Sequence, residues 1–192
     1  MIQKITVVLT ALLLLAGCTA KSSFYQLHPK VKESTQSRSH QKGTVIGIAE
    51  VEVSEYLNKP EMVTRLSAGR LSVHEDDRWA GSFPKNLQAV LRHNLGTLQP
   101  RYTFLSYPWE EPIDDNYRIY VTIDRFDGDA AGLVTLEGRW SLVDRNESKV
   151  LFSENIKYAQ KGGTSLDAIV DTQSRLLYKL SQRISSRVRS KI

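Results

Sequence analysis

Side chains able to do chemistry are few and scattered in this chain of 192 residues. The densest set of metal-binding groups is His74-Glu75-Asp76-Asp77. A catalytic zinc site needs a second histidine at defined spacing; none is present locally, and His93 would have to arrive through the fold. Asp124, Asp127 and Asp129, in DRFDGDAAG, offer the oxygen ligands calcium takes. The stretch lacks the closing glutamate of a calcium loop, and a turn between two strands accounts for Asp127-Gly128-Asp129 more simply. No G-x-S-x-G elbow presents a serine nucleophile, and no glycine-rich loop cradles phosphate. The carboxylate pairs Glu110-Glu111 and Asp114-Asp115 fall in a polar, proline-bearing segment where water is expected to solvate them. One thiol is left, Cys18, closing the stretch LLLLAGC.

A single cysteine excludes disulfides within the chain, zinc–thiolate clusters and a cysteine nucleophile elsewhere in it. Lys4 precedes an apolar run from Ile5 to Ala16. As a helix that run spans about 18 Å, short of the roughly 30 Å of a bilayer core, so it reads as a secretory signal and not as a membrane span. Leu15-Ala16-Gly17-Cys18 resembles the lipobox of bacterial lipoproteins. The resemblance implies a signal peptide over 1–17, cleavage after Gly17, a diacylglycerol on the Cys18 sulfur and an N-acyl chain on its amino group. Thr19, where an aspartate would resemble an inner-membrane retention signal, points to the outer membrane. Residues 18–23 then form an acylated tether and 24–192 a single domain. The net charge of +5 falls to +4 with loss of Lys4. For an exported protein this charge suits anionic headgroups, an acidic protein or a generic basic surface, and not nucleic acid.

The elements follow from periodicity. FYQL at 24–27 reads as a strand, and 28–44 as a mobile loop with one apolar residue beyond its proline. TVIGIAEVEV at 44–53 reads as one strand. Met62 to Leu66 and Arg70 to His74 form a hairpin whose turn holds Gly69. Ser82 caps a helix with the stripe Leu87, Val90, Leu91, Leu95 and Leu98, and 102–106 is a strand. Three alternating runs, 117–126, 133–144 and 149–159, make an antiparallel meander with turns at 127–132 and 144–148. After Gly162-Gly163 a helix runs from Thr164 to about Arg189, with the stripe Leu166, Ile169, Val170, Leu177, Leu180, Ile184 and Val188. The expectation is a single α/β domain: six or seven strands in a mixed sheet covered by two main helices.

Two features have binding character. Arg175, Lys179, Arg183 and Arg187 recur every four residues, either facing an anionic partner or solvated. The stretch from Tyr56 to Trp79 is either a hairpin docking on a partner or an edge packed on the core.

In order and spacing the chain resembles the ABC-type transport auxiliary lipoproteins, including the paraquat-inducible lipoprotein group of the MCE-type lipid transport system. The resemblance rests on the lipobox and FYQL, Tyr56-Leu57, Pro60, Val63, Arg65, Arg70-Leu71, Arg78-Trp79-Ala80, Tyr107-Pro108-Trp109, RFDGD at 125–129, and Glu137 with Arg139-Trp140. Lys59 and Gly81-Ser82 depart from the usual arginine and Glu-Pro. Membership implies a non-enzymatic outer-membrane lipoprotein facing the periplasm, without cofactor beyond its acyl chains. Its partner would be an MCE-domain periplasmic subunit of an inner-membrane transport complex, and self-assembly is compatible with the family. Tyr56, Leu57, Pro60, Arg65, Arg70, Arg78 and Trp79 are the expected partner-binding residues, the alternative being that Arg70 and Trp79 close the end of the sheet. A free-standing envelope hydrolase and a purely structural lipoprotein are the competing functions.

Overall fold

A computed structural model describes residues 22–30, 44–109 and 113–192. Cys18, most of the expected loop at 28–44 and Glu110-Glu111 lie outside them. In chain order the elements are β1 (Ser23–Tyr25), β2 (Val45–Ile48), β3 (Glu52–Val53), a one-turn 3-10 helix (Glu55–Leu57), β4 (Glu61–Ser67), β5 (Arg70–Trp79), α1 (Phe83–Leu98), β6 (Thr103–Ser106), β7 (Tyr117–Gly128), β8 (Leu133–Asp144), β9 (Lys149–Lys161) and α2 (Leu166–Lys191). The α/β class holds, with nine strands among the described residues divided between two sheets. One sheet has the order β1-β5-β4; the other runs β6-β2-β7-β8-β9, with β3 also on β7. Parallel pairs β1–β5, β2–β6 and β2–β7 join the antiparallel hairpin β4–β5 and meander β7–β8–β9.

Both helices start where their polar residues dictate. Ser82 Oγ accepts the Lys85 N–H at 3.4 Å, and Ser165 Oγ accepts the Ala168 N–H at 3.3 Å, so each hydroxyl satisfies a backbone donor of the first turn. The N-cap at Ser165 moves the second helix start from the expected Thr164 to Leu166. The helices pack against each other through Asn94 Nδ2 to Ser181 Oγ at 3.2 Å and Gln99 Nε2 to Ser185 Oγ at 2.9 Å. Their stripes share one core with Ile119, Val121, Ile123, Leu136, Trp140 and Leu142 of the larger sheet.

Four further expectations change. The strand at 44–53 divides, because Ile48 pairs with Ile119 but Glu52 with Thr122, leaving one residue too many on its side of the ladder. Val51 in the break is buried. The pairing of β7 shifts between Ile123 and Arg125, so its apolar alternation resumes out of phase and Asp127 ends inside the protein. The turn therefore begins at Asp129, whose Oδ1 accepts the N–H groups of Ala131 and Leu133, both at 2.9 Å. His28 to Lys30, assigned to the mobile loop, are docked on α2. The His28 N–H donates to Ser174 Oγ at 3.2 Å, and Lys30 pairs with Asp171.

The fourth change concerns the basic row of α2, which stays at least partly exposed but whose cations each have a partner within the molecule. Arg183 grips Glu154 of β9 through Nε at 2.7 Å and Nη2 at 2.6 Å. Lys179 lies 4.8 Å from the Tyr158 ring centre and Arg187 4.6 Å from that of Phe152, while Arg175 pairs with Asp171 on its own helix. Glu154 is held below the usual carboxylate range by the Arg183 guanidinium, and Asp171 by Lys30. Lys179, Arg183 and Arg187 tie the helix to the edge strand.

Gly138 marks the tightest crossing of β7 and β8: a Cβ there would sit 2.1 Å from the Thr122 carbonyl oxygen and 3.0 Å from Ile123 Cα. Because backbone cannot yield as a flexible side chain can, Gly138→Ala is expected to cost about 3 kcal/mol. Gly69→Ala, with nothing within 4 Å of the new atom, should shift stability by less than about 0.5 kcal/mol. Urea unfolding of the two variants checks the contrast.

Candidate functional site

The expected binding residues separate into an inward and an outward group. The 3-10 turn after β3 buries Leu57 and aims Tyr56 at the end of β7. Its hydroxyl donates to Asp127 Oδ2 at 2.8 Å. Arg65 reaches the same carboxylate from β4, through Nη2 at 2.9 Å and Nε at 3.2 Å, and Arg125 adds Nε at 3.0 Å to Oδ1. Asp127 has no solvent exposure, and the Arg65 side chain only 17%. A backbone bridge between Arg65 and Asp129 completes the junction. Two guanidinium groups and a phenol thus surround one carboxylate, which compensates its desolvation. Burial, reinforced by the hydrogen bond to Asp127, pushes the Tyr56 phenol up to about 12. The bond to Asp127 also raises Arg65 above its ordinary value.

Trp79 turns inward too, stacking on Phe83 at 4.3 Å between ring centres, with Phe83 6.2 Å from Phe126. The backbone N–H of Trp79 donates to the Pro60 carbonyl at 2.8 Å, closing the base of the hairpin. Pro60, Arg70 and Arg78 face solvent. Arg78 pairs with Glu61 at 3.2 Å across the hairpin, and Arg70 sits at its turn. Arg65 and Trp79 therefore position the hairpin, whereas Arg70 and Arg78 remain on its surface. The neighbouring His74 is bonded to Thr64 Oγ1 at 2.9 Å, and the described residues contain no group of three metal-ligating side chains.

A second cluster lies at the other end of β7. Asp115, expected to be solvated, is buried and accepts from Arg118 Nε at 2.6 Å and Nη2 at 2.8 Å. The Arg118 guanidinium stacks 3.8 Å from the Tyr107 ring centre, and Tyr107 meets Trp109 edge-on at 5.1 Å. Asp115 holds Arg118 above its ordinary value. A Cβ on Gly47 would sit 2.6 Å from Asp115 Oδ2, so the pair needs glycine beneath it. The three-residue spacing of Asp115 and Arg118 was visible in the sequence, but not the burial that makes it a bidentate pair. Between the clusters, on the sheet face away from the core, Glu50, Glu52, Tyr120 and Arg139 line an open groove of about 370 Å3 with no histidine or cysteine among its lining residues.

Residues 25–185 match the family described as ABC-type transport auxiliary lipoprotein component. Comparison with curated proteins finds no match. Among solved structures, an uncharacterised protein is 19% identical, with 88% of this chain and 99% of that chain covered and a TM-score of 0.73. Protein XCC0632 from Xanthomonas campestris, of the DUF330 family, is 16% identical, with 89% and 100% covered and a TM-score of 0.70. At such identities these two structures show the shared fold alone.

Removing the central carboxylate strands buried charge: Asp127→Ala is expected to lose about 3–5 kcal/mol, whereas Arg70→Ala should change stability by less than about 0.5 kcal/mol. Chemical denaturation of both variants measures the difference. The Tyr56 phenol is raised from 10.0 in the unfolded chain to about 12 in the folded one, so the folded state holds this proton more tightly. Its contribution is complete below pH 10 and disappears as pH rises through 12. Stability profiles of the wild type and Tyr56→Phe should therefore converge across that window, and parallel profiles would contradict the assignment.

Proposed function

The chain belongs to the ABC-type transport auxiliary lipoprotein component family, and from that premise we propose that it is a non-enzymatic outer-membrane lipoprotein serving an MCE-type lipid transport system. Diacylglycerol and an N-acyl chain on Cys18 hold it to the inner leaflet of the outer membrane. Its partner is the MCE-domain periplasmic subunit of an inner-membrane complex. The observation that carries this reading is the short connection between lipobox and fold. Cys18 precedes Ser23, the first residue of β1, by five positions, a span of at most about 18 Å. Acylation there keeps the domain against the bilayer, since two or more chains make a stable anchor.

The arrangement suits a docking role. Arg70, Arg78 and Pro60 are exposed on a hairpin whose position is set by Arg65 on Asp127 and by Trp79 on Phe83. A partner engaging this hairpin is brought to the membrane by the same small sheet in which the tether ends. The domain supplies attachment and alignment, and envelope integrity follows from the transport it supports.

Intact-mass analysis of protein extracted from cells should find Cys18 triacylated, with the chain in outer-membrane fractions. Cys18→Ala should release it and impair barrier function. An unmodified wild-type thiol, or a Cys18→Ala protein that still fractionates with the outer membrane and sustains the barrier, overturns the reading. Co-purification of an MCE-domain subunit, weakened by Arg70→Glu with Arg78→Glu, separates transport from a purely structural role.

A further inference from the structure

We propose that the three-stranded sheet makes a second, non-covalent contact with the bilayer, in which Phe24 enters the lipid interface beside the acyl anchor. This rests on the acylation of Cys18. Phe24 is 66% exposed, the most exposed large apolar side chain among the described residues, although Tyr25 beside it is half-buried and Leu27 is buried. Two further members of that exposed set, Leu66 at 46% and Val73 at 49%, belong to β4 and β5 of the same sheet. Three of the seven exposed large apolar residues among the described residues thus lie on the smaller sheet, Phe24 at the base of the hairpin and Leu66 next to its turn.

The occupant follows from where the chain enters. Phe24 lies six residues from Cys18, so acyl chains on that sulfur are confined to within about 21 Å of it. β1 is parallel to β5, with Ser23 beside Asp77 and Tyr25 beside Trp79. Phe24 itself pairs with Arg78 at the base of the hairpin, away from the turn at Ser67 and Arg70, and the bilayer holding the acyl chains is the nearest extended apolar phase. Aromatic side chains settle at the boundary between headgroups and hydrocarbon, and a second attachment adds to acyl anchoring. The opposite end of the larger sheet is remote: nine residue steps separate Val134 from Val143 along β8, about 30 Å. Val150, paired with Val143 there, is 59% exposed and serves as the internal control.

The test uses the full-length acylated protein in vesicles of phosphatidylethanolamine and phosphatidylglycerol carrying brominated acyl chains, which quench indole emission on contact. Phe24→Trp and Val150→Trp are compared after subtraction of wild-type emission, with thermal unfolding confirming that both fold. The expected result is loss of most of the added Phe24→Trp emission and a shift to shorter wavelength, with the Val150→Trp signal unchanged. Equal quenching of the two, or a blue shift at position 24 without quenching, as a second copy or another protein would produce, overturns the bilayer contact. Intact mass keeps the two ideas apart. Acylated, vesicle-bound protein without selective quenching refutes only this contact, whereas unacylated protein refutes the anchoring on which it rests.

Discussion

A carboxylate fully withdrawn from water, at the point where the two sheets meet, governs the arrangement of this domain. Asp127 sits at the end of β7 with no exposed surface, and its ionised form requires donors close by. Arg125 comes from the same strand, Arg65 from the hairpin and Tyr56 from the 3-10 turn. Because the donors come from three separate segments, satisfying one charge fixes the hairpin and the turn against the larger sheet. Such a junction resists sliding more than an apolar contact does, since displacement leaves a buried ion without its partners. The stack of Trp79 on Phe83 extends the same connection into the apolar core.

At the far end of the larger sheet a similar device works with the signs reversed. Arg118 is the buried cation, Asp115 supplies its two acceptors, and Tyr107 covers its face at 3.8 Å. Along the side, Arg183 on Glu154 and the two cation–aromatic contacts at Phe152 and Tyr158 hold α2 to β9. Arg65, Arg125, Arg118, Arg183, Lys179 and Arg187 are therefore engaged in internal geometry. A surplus of Lys and Arg in the composition is a poor guide to a binding surface here. The cations left outward on the expected surface, Arg70 and Arg78, belong to the hairpin.

Much of the architecture was readable from local pattern. The β8 boundaries, 133–144, follow directly from alternation, and the α1 start from Ser82 and Pro84. Two of the departures each trace to a single inserted residue. The extra position between β2 and β3 split one strand into two, and the shift at Ile123/Arg125 carried Asp127 from an expected turn into the interior. Period-two alternation cannot reveal such insertions, because one residue reverses every side chain beyond it. The hairpin residues were recognisable as a group. Their separation into positioning residues (Tyr56, Leu57, Arg65, Trp79) and exposed ones (Pro60, Arg70, Arg78) was not, since it depends on partners 62 positions away, as for Arg65 and Asp127.

The sequence by itself determined the class of the domain, the order of its long elements, the position of its only thiol and the family to which it belongs. Each of these is written in near-neighbour periodicity or in a short ordered motif. Tertiary structure alone decided that the strands form two sheets, that the basic row of α2 is an internal clamp, and that Asp127 and Asp115 are buried ion-pair centres. The physical reason is desolvation: whether a charge binds outward or locks inward depends on the water it loses, and that is set by segments distant in the chain.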